Sequence, residues 1–130
     1  MMWILLFFAG LLALPFVIEA TRSKMGPAAR ETAPGQFAEL SQGITHFQWY
    51  GPETGQVAVC IHGLTTPSFV WGGMAEGLVQ QGYRVLVYDL YGRGFSDRPS
   101  APQDTAFFIQ QLNDLLDHQS VDEDITLIGY

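Results

Sequence analysis

The most constraining feature of this chain is a repeated alternation of two periodicities. Val57-Ala58-Val59-Cys60-Ile61, Arg84-Val85-Leu86-Val87-Tyr88-Asp89-Leu90 and Ile125-Thr126-Leu127-Ile128 are short apolar runs rich in β-branched residues. Runs of that kind suit strands covered on both faces. Between them lie stretches whose apolar residues recur at helical spacing. Val70, Trp71, Met74, Leu78 and Val79 form one such stripe, and Phe108, Leu112, Leu115 and Leu116 form the other. Strand–helix–strand repeats of this length predict βαβ units, a mainly parallel sheet and helices on both faces.

The boundaries follow from local chemistry. Ser68 is the expected N-cap of the first helix and Gly82 its stop. Gly72, Gly73 and Gly77 weaken that helix but allow close approach to a sheet. Asp104 or Thr105 opens the second helix, and His118 lies near its C-terminus, where positive charge is favoured. Asp122, Glu123 and Asp124 read as a solvated acidic turn. Upstream, Ile44 to Tyr50 and the shorter Phe37 to Leu40 read as strands, and Gly51-Pro52-Glu53-Thr54-Gly55 reads as a hairpin turn.

A different constraint acts on the N-terminus. Met1 to Ile18 is almost wholly apolar. As a helix, that run is about 27 Å long, close to the thickness of a bilayer's hydrocarbon core. Pro15 falls near one end, and Trp3 and Phe16 suit the two interfaces. A cleaved secretory signal fits less well. No Lys or Arg precedes the run, and Ile18-Glu19-Ala20 puts a bulky residue at the cleavage position. A buried core helix is a third option, but a helix apolar on every face needs a large protein around it. Residues 1–20 are therefore expected to be a transmembrane anchor. Arg22, Lys24 and Arg30 follow it and place the body on the cytoplasmic side. Residues 21–36, with Gly26, Pro27, Pro34 and Gly35 and no apolar period, are the expected linker. Residues 37–130 are the body.

Charge and cysteine content exclude several classes. The formal net charge is -7 over 130 residues, which argues against nucleic-acid binding. Cys60 is the single cysteine. It cannot close an internal disulfide, and no Cys/His cluster points to a metal. Its apolar run makes it a buried small hydrophobe. No cofactor is expected.

Three blocks, each placed after a strand, carry a more specific signal. They are His62-Gly63-Leu64, then Tyr88-Asp89-Leu90-Tyr91-Gly92-Arg93-Gly94-Phe95-Ser96-Asp97-Arg98-Pro99, then Ile128-Gly129-Tyr130. In this order they resemble the α/β-hydrolase family over about residues 37–130. A dinucleotide fingerprint is the rival reading of Gly92-x-Gly94. It wants a third Gly, where Asp97 stands, and an immediate helix, which Pro99 delays.

The resemblance implies roles for individual residues. The backbone N–H of Leu64 is expected in the oxyanion hole, where preorganised donors meet charge developing in acyl transfer. Gly63 leaves the backbone room to approach substrate. His62 is expected to brace the loop rather than act as a base. Asp89, Gly92, Arg93, Gly94 and Ser96 would hold a tight loop beside the site. Gly129-Tyr130 resembles the opening of a Gly-x-Ser-x-Gly elbow, so the nucleophile is expected immediately after Tyr130, with the acid and His later still. His46 and His118 precede the elbow and are explained as strand and helix-end residues.

Three functions follow. The first is a serine hydrolase of the esterase, lipase or peptidase kind, acting on a small or lipid-like acyl substrate. The second is an Asp-nucleophile enzyme of the dehalogenase and epoxide-hydrolase kind. The third is a non-catalytic, membrane-tethered binding domain. The 130-residue chain alone is expected to be inactive and poorly folded, because its last strand offers an apolar edge.

Overall fold

A computed structural model describes residues 1–21, 25–122 and 124–130. Arg22, Lys24 and Glu123, which figure in the expectations above, lie outside the described residues. The elements run α1 (Met2–Thr21), α2 (Pro27–Arg30), β1 (Gln36–Leu40), β2 (Gly43–Tyr50) and β3 (Val57–Ile61). A 3₁₀ turn (Ser68–Trp71), α3 (Gly72–Gln80), β4 (Arg84–Tyr88), α4 (Thr105–His118) and β5 (Ile125–Gly129) complete the order.

The strands form one five-stranded sheet in the order β1-β2-β4-β3-β5. β3 is parallel to β4 and to β5, with Val59 opposite both Leu86 and Leu127. β1–β2 and β2–β4 are antiparallel. The sheet is thus mixed, with its parallel part at the end that carries the three motif blocks. The strand expected to reach Leu90 leaves its ladder at Tyr88, although Asp89 N–H still donates to His46 O at 2.9 Å.

Residues 51–55 are not a hairpin turn. β2 and β3 both pair with β4, one on each edge, so the segment between them steps across the end of β4. The buried β4 is apolar on both faces and takes a partner on each side. Gly51, at φ +87°, lets the chain pass so close that a Cβ there would lie 2.7 Å from Tyr83 O.

Period-2 alternation sends each parallel strand's side chains to two cores. Val59, Leu86 and Tyr88 point to one face, where Leu115 and Leu116 of α4 cover them together with Phe47. Ala58, Cys60, Val85 and Val87 point to the other, under Trp71 and Ala75. Each large apolar side chain buried this way stabilises the fold by roughly 1.5–3 kcal/mol. Cys60 is fully buried, and desolvation pushes its thiol up to about 11.

The helices depart from expectation in detail. Asp104 does cap α4, its side chain accepting from Phe107 N at 2.9 Å. Ser68 does not cap the first helix. It begins the 3₁₀ turn, and its own N–H is taken by Asp89 Oδ1 at 2.8 Å, so a carboxylate from the next strand does the capping. Met74 is exposed, and Ala75 occupies the buried position instead, one helical turn beyond Trp71 on the face that packs on the sheet.

α1 is long and apolar enough to cross a membrane, and its apolar stretch is not buried among the described residues. Within the segment expected as a linker, α2 is held to the body. Arg30 pairs with Asp97 and lies 5.5 Å from the centre of the Phe37 ring.

Candidate active site

The parallel strands β3, β4 and β5 end side by side, and each releases one motif block at the same edge. The His62 loop follows β3, the Asp89–Asp97 loop follows β4, and Tyr130 follows β5. A Cβ placed on Gly63 would lie 3.4 Å from both the ring and the carbonyl oxygen of Tyr130. The His-Gly loop and the end of β5 are therefore in contact. Across them, Tyr130 meets Trp71 edge-on at 5.5 Å. Val70, Trp71, Met74 and Tyr130 line an open apolar hollow of about 390 Å³ there.

His62 is buried, and both of its ring nitrogens face backbone. Nε2 stands 2.9 Å from the Leu90 N–H and can only accept. The proton therefore sits on Nδ1, which donates to Gly63 O at 2.6 Å. This bond grips the Gly63–Leu64 peptide by its carbonyl. Because that peptide is trans, its Leu64 N–H points the opposite way. Desolvation lowers the His62 pKa below the ordinary histidine value, against the smaller opposing pull of the Gly63 bond. The Leu64 side chain is exposed, and its carbonyl accepts from Arg93 Nε at 2.8 Å. Arg93 NH1 also donates to Tyr91 O at 3.1 Å and to Gln103 Oε1 at 2.8 Å. The loop after β4 thus holds the loop after β3 at the His62 ring, through Leu90 N–H, and at the Leu64 carbonyl, through Arg93.

Asp89 is the hub of that second loop. Oδ1 accepts from Ser68 N–H, and Oδ2 accepts from Phe95 N–H at 2.9 Å and from His46 Nδ1 at 2.8 Å. His46 Nε2 faces the Pro34 carbonyl, which can only accept. Both His46 nitrogens must then donate, so His46 is an imidazolium paired with a carboxylate. Burial alone would drive both groups neutral. The hydrogen bonds outweigh it, holding Asp89 below the usual carboxylate range and His46 above the usual histidine value.

Ser96 is buried and closes the same knot. Its hydroxyl donates to Asp89 O at 2.6 Å and accepts from His46 N–H at 2.9 Å. Gly94, at φ +49°, packs so tightly that a Cβ would stand 2.0 Å from Asp89 Oδ2. Gly92, at φ +79°, turns the chain beside Gln103. Gly129 pairs with Ile61 at the end of β5.

Sequence reasoning missed several members of this arrangement. His46 is an ion-pair partner rather than an ordinary strand residue. Gln111, fully buried on α4, accepts from Tyr91 N–H at 3.0 Å and donates to Thr45 Oγ1 at 2.9 Å and to Asp89 O at 3.1 Å. Asp97 accepts from Ile44 N–H at 2.8 Å and pairs with Arg30. A glutamine on the apolar stripe of α4 was the one available signal. His118 is the last residue of α4, bonded to Gln119 and far from these loops in sequence. Among the described residues, no group of three His, Cys, Asp or Glu side chains is placed to hold a metal ion.

Comparison with known proteins agrees with this architecture. Residues 57–130 match the family described as the α/β hydrolase fold. A haloalkane dehalogenase from Mycobacterium marinum is 39% identical over 62 residues, covering 48% of this chain and 21% of that protein. An uncharacterized protein from Mycobacterium tuberculosis is 32% identical over 77 residues, covering 59% of this chain and 22% of its relative. Among solved structures, a thioesterase domain from the curacin biosynthetic pathway superposes with a TM-score of 0.66 at 28% identity. That match covers 73% of this chain and 34% of the domain. The chain belongs to the α/β-hydrolase family, and it spans about a fifth of the length of these two mycobacterial relatives.

Proposed function

We propose that the whole protein is a membrane-anchored serine hydrolase acting on an ester or other acyl substrate of hydrophobic, lipid-like character. One observation carries this reading. The Gly63–Leu64 peptide is gripped by His62, and its loop lies against Tyr130, where the family resemblance sets the nucleophile turn. A donor held rigid before the reaction costs no reorganisation as charge develops, which is what an oxyanion hole requires.

In this reading the hydroxyl of a serine after Tyr130 attacks the acyl carbon. A histidine later in the polypeptide takes its proton, and a carboxylate orients that histidine. The carbonyl oxygen, now negative, receives the Leu64 N–H. His62 does not exchange protons with substrate, since both its nitrogens are committed to backbone. Asp89, Arg93 and Ser96 position the loops. α1 acts as the anchor, with the body on the cytoplasmic side, and a site tethered to a membrane suits a hydrophobic substrate.

Similarity to a haloalkane dehalogenase supports a second reading, in which an aspartate after Tyr130 forms an alkyl-enzyme ester. Purified full-length protein separates the two. The first predicts release of p-nitrophenol from p-nitrophenyl butyrate and no halide from 1-bromobutane. Halide release without ester hydrolysis would replace it with the second. Binding of acyl ligands with no turnover of either would make the protein a tethered binding domain.

A further inference from the structure

We propose that the short segment behind α1 fixes the body with its site end against the bilayer, so that Phe69 sits among lipid and substrate enters from the membrane. This rests on the reading of α1 as an anchor. Three observations carry it.

The first is reach. Five residues separate Thr21 from Pro27. Fully extended, they span at most about 21 Å. Residues 37–130 by themselves are already roughly 30 Å across. The tether is shorter than the body, so whichever end holds α2 faces the membrane.

The second is where the segment docks. Arg30 pairs with Asp97 and its Nε donates to Phe95 O at 3.5 Å, while Pro34 O receives His46 Nε2. All of these contacts fall on, or directly behind, the loop that follows β4. That is the edge at which the His62 loop and Tyr130 emerge. The turns at the other end, around Glu53 and Gly82, have no contact with this segment among the bonds described.

The third is the surface presented beside the docking point. Phe69 is 73% exposed and lines a small hollow with Pro34, Pro67 and Phe95. Leu64, in the loop that leads into the 3₁₀ turn carrying Phe69, is 58% exposed. Isolated exposed apolar groups are common. Here an aromatic in the 3₁₀ turn and a leucine in the loop before it are both exposed between β3 and α3, on the side to which the segment behind α1 docks.

The test uses full-length protein in phosphatidylcholine nanodiscs containing acyl-chain doxyl lipid. The environment-sensitive fluorophore NBD is attached through Phe69→Cys or, as the distal control, Glu53→Cys. Cys60 is fully buried and escapes labelling. NBD at position 69 should be blue-shifted and strongly quenched by doxyl lipid, and NBD at position 53 should be neither. Equal quenching at both positions overturns the orientation. Blue shift without doxyl quenching at 69 means that protein covers this patch, and overturns it too. Release of the protein by alkaline carbonate overturns the anchor and the orientation together.

A functional arm inserts about a dozen Gly and Ser residues after Met25. By lowering the effective concentration of the site at the bilayer, this should slow hydrolysis of a bilayer-resident long-chain ester by about tenfold. Hydrolysis of soluble p-nitrophenyl butyrate should stay unchanged. Unchanged rates on both esters contradict the proposal. Absence of any esterase activity refutes the hydrolase reading, while the quenching comparison still judges the orientation.

Discussion

Replacing Asp89 by asparagine should damage the body severely although it exchanges a single heavy atom. The carboxylate receives three donors, two of them on Oδ2. An asparagine can offer its oxygen to one side only. If the oxygen stays toward Ser68, the amide NH₂ meets both the Phe95 N–H and the His46 N–H. It cannot swing away, because Gly94 packs against the carboxylate with no room for even a methyl group. His46 would also lose the anion that keeps it charged in a buried setting. Breaking a buried ion pair by removing one partner costs about 3–5 kcal/mol. His46 can respond by giving up its proton, which leaves one orphaned N–H worth roughly 1–3 kcal/mol. The expected loss is thus about 2–4 kcal/mol, a large part of an ordinary domain's stability. Urea unfolding of full-length protein should show it as a lower midpoint at unchanged slope. Adding His46→Leu to Asp89→Asn should recover part of the loss, since no buried imidazole then has to be discharged. A midpoint shift worth less than about 1 kcal/mol would refute the reasoning.

The same groups set a pH dependence. His46 has a raised pKa in the folded state, so its contribution is full below the unfolded value of about 6.5 and is lost as pH rises through the higher folded value. Asp89 has a lowered pKa, so its contribution is present above about 3.9 and is lost as pH falls through the folded value. His62 is held neutral, with its pKa lowered, and it resists protonation as pH falls below about 6.5. Stability profiles against pH should therefore lose, in His46→Gln, the step of decline that begins above about 6.5, and a step that persists unchanged counts against the ion pair. Gly94→Ala should unfold the loop after β4, because a Cβ there meets Asp89 at 2.0 Å on a backbone at φ +49°; a loss of about 3 kcal/mol or more is expected, measured by thermal melting. Arg93→Met should lower kcat for ester hydrolysis about tenfold with little change in KM or melting temperature, since Arg93 holds the Leu64 carbonyl from a half-buried position outside both cores; an unchanged kcat contradicts that role.

Much of the fold was legible because its signals are local. The apolar runs of β3, β4 and β5 and the Asp104 cap of α4 depend on neighbours in sequence. The hairpin reading of residues 51–55 failed because nothing local reports that β4, more than twenty-five residues onward, will claim both edges. The Ser68 cap failed for a similar reason. Its place was taken by a carboxylate that becomes a neighbour only once β3 and β4 align. The site divides along the same line. His62, Gly63, Asp89, Arg93, Gly94 and Ser96 were singled out by the resemblance to the α/β-hydrolase family. His46, Gln111, Asp97 and Arg30 did not, because their partners lie far along the chain and the sequence around each is unexceptional. The docking of residues 27–34 was hidden by composition, since glycine, proline and alanine read as a linker whether or not one arginine finds an aspartate.

The central claim is acyl transfer at the junction of the His62 loop and the end of β5. Its most direct test is to treat full-length protein with a fluorophosphonate probe and map the modified residue by peptide sequencing. The account predicts a single adduct on a serine immediately after Tyr130, lost when that serine is replaced by alanine. An adduct elsewhere, or none on a protein that still turns over ester, would contradict it.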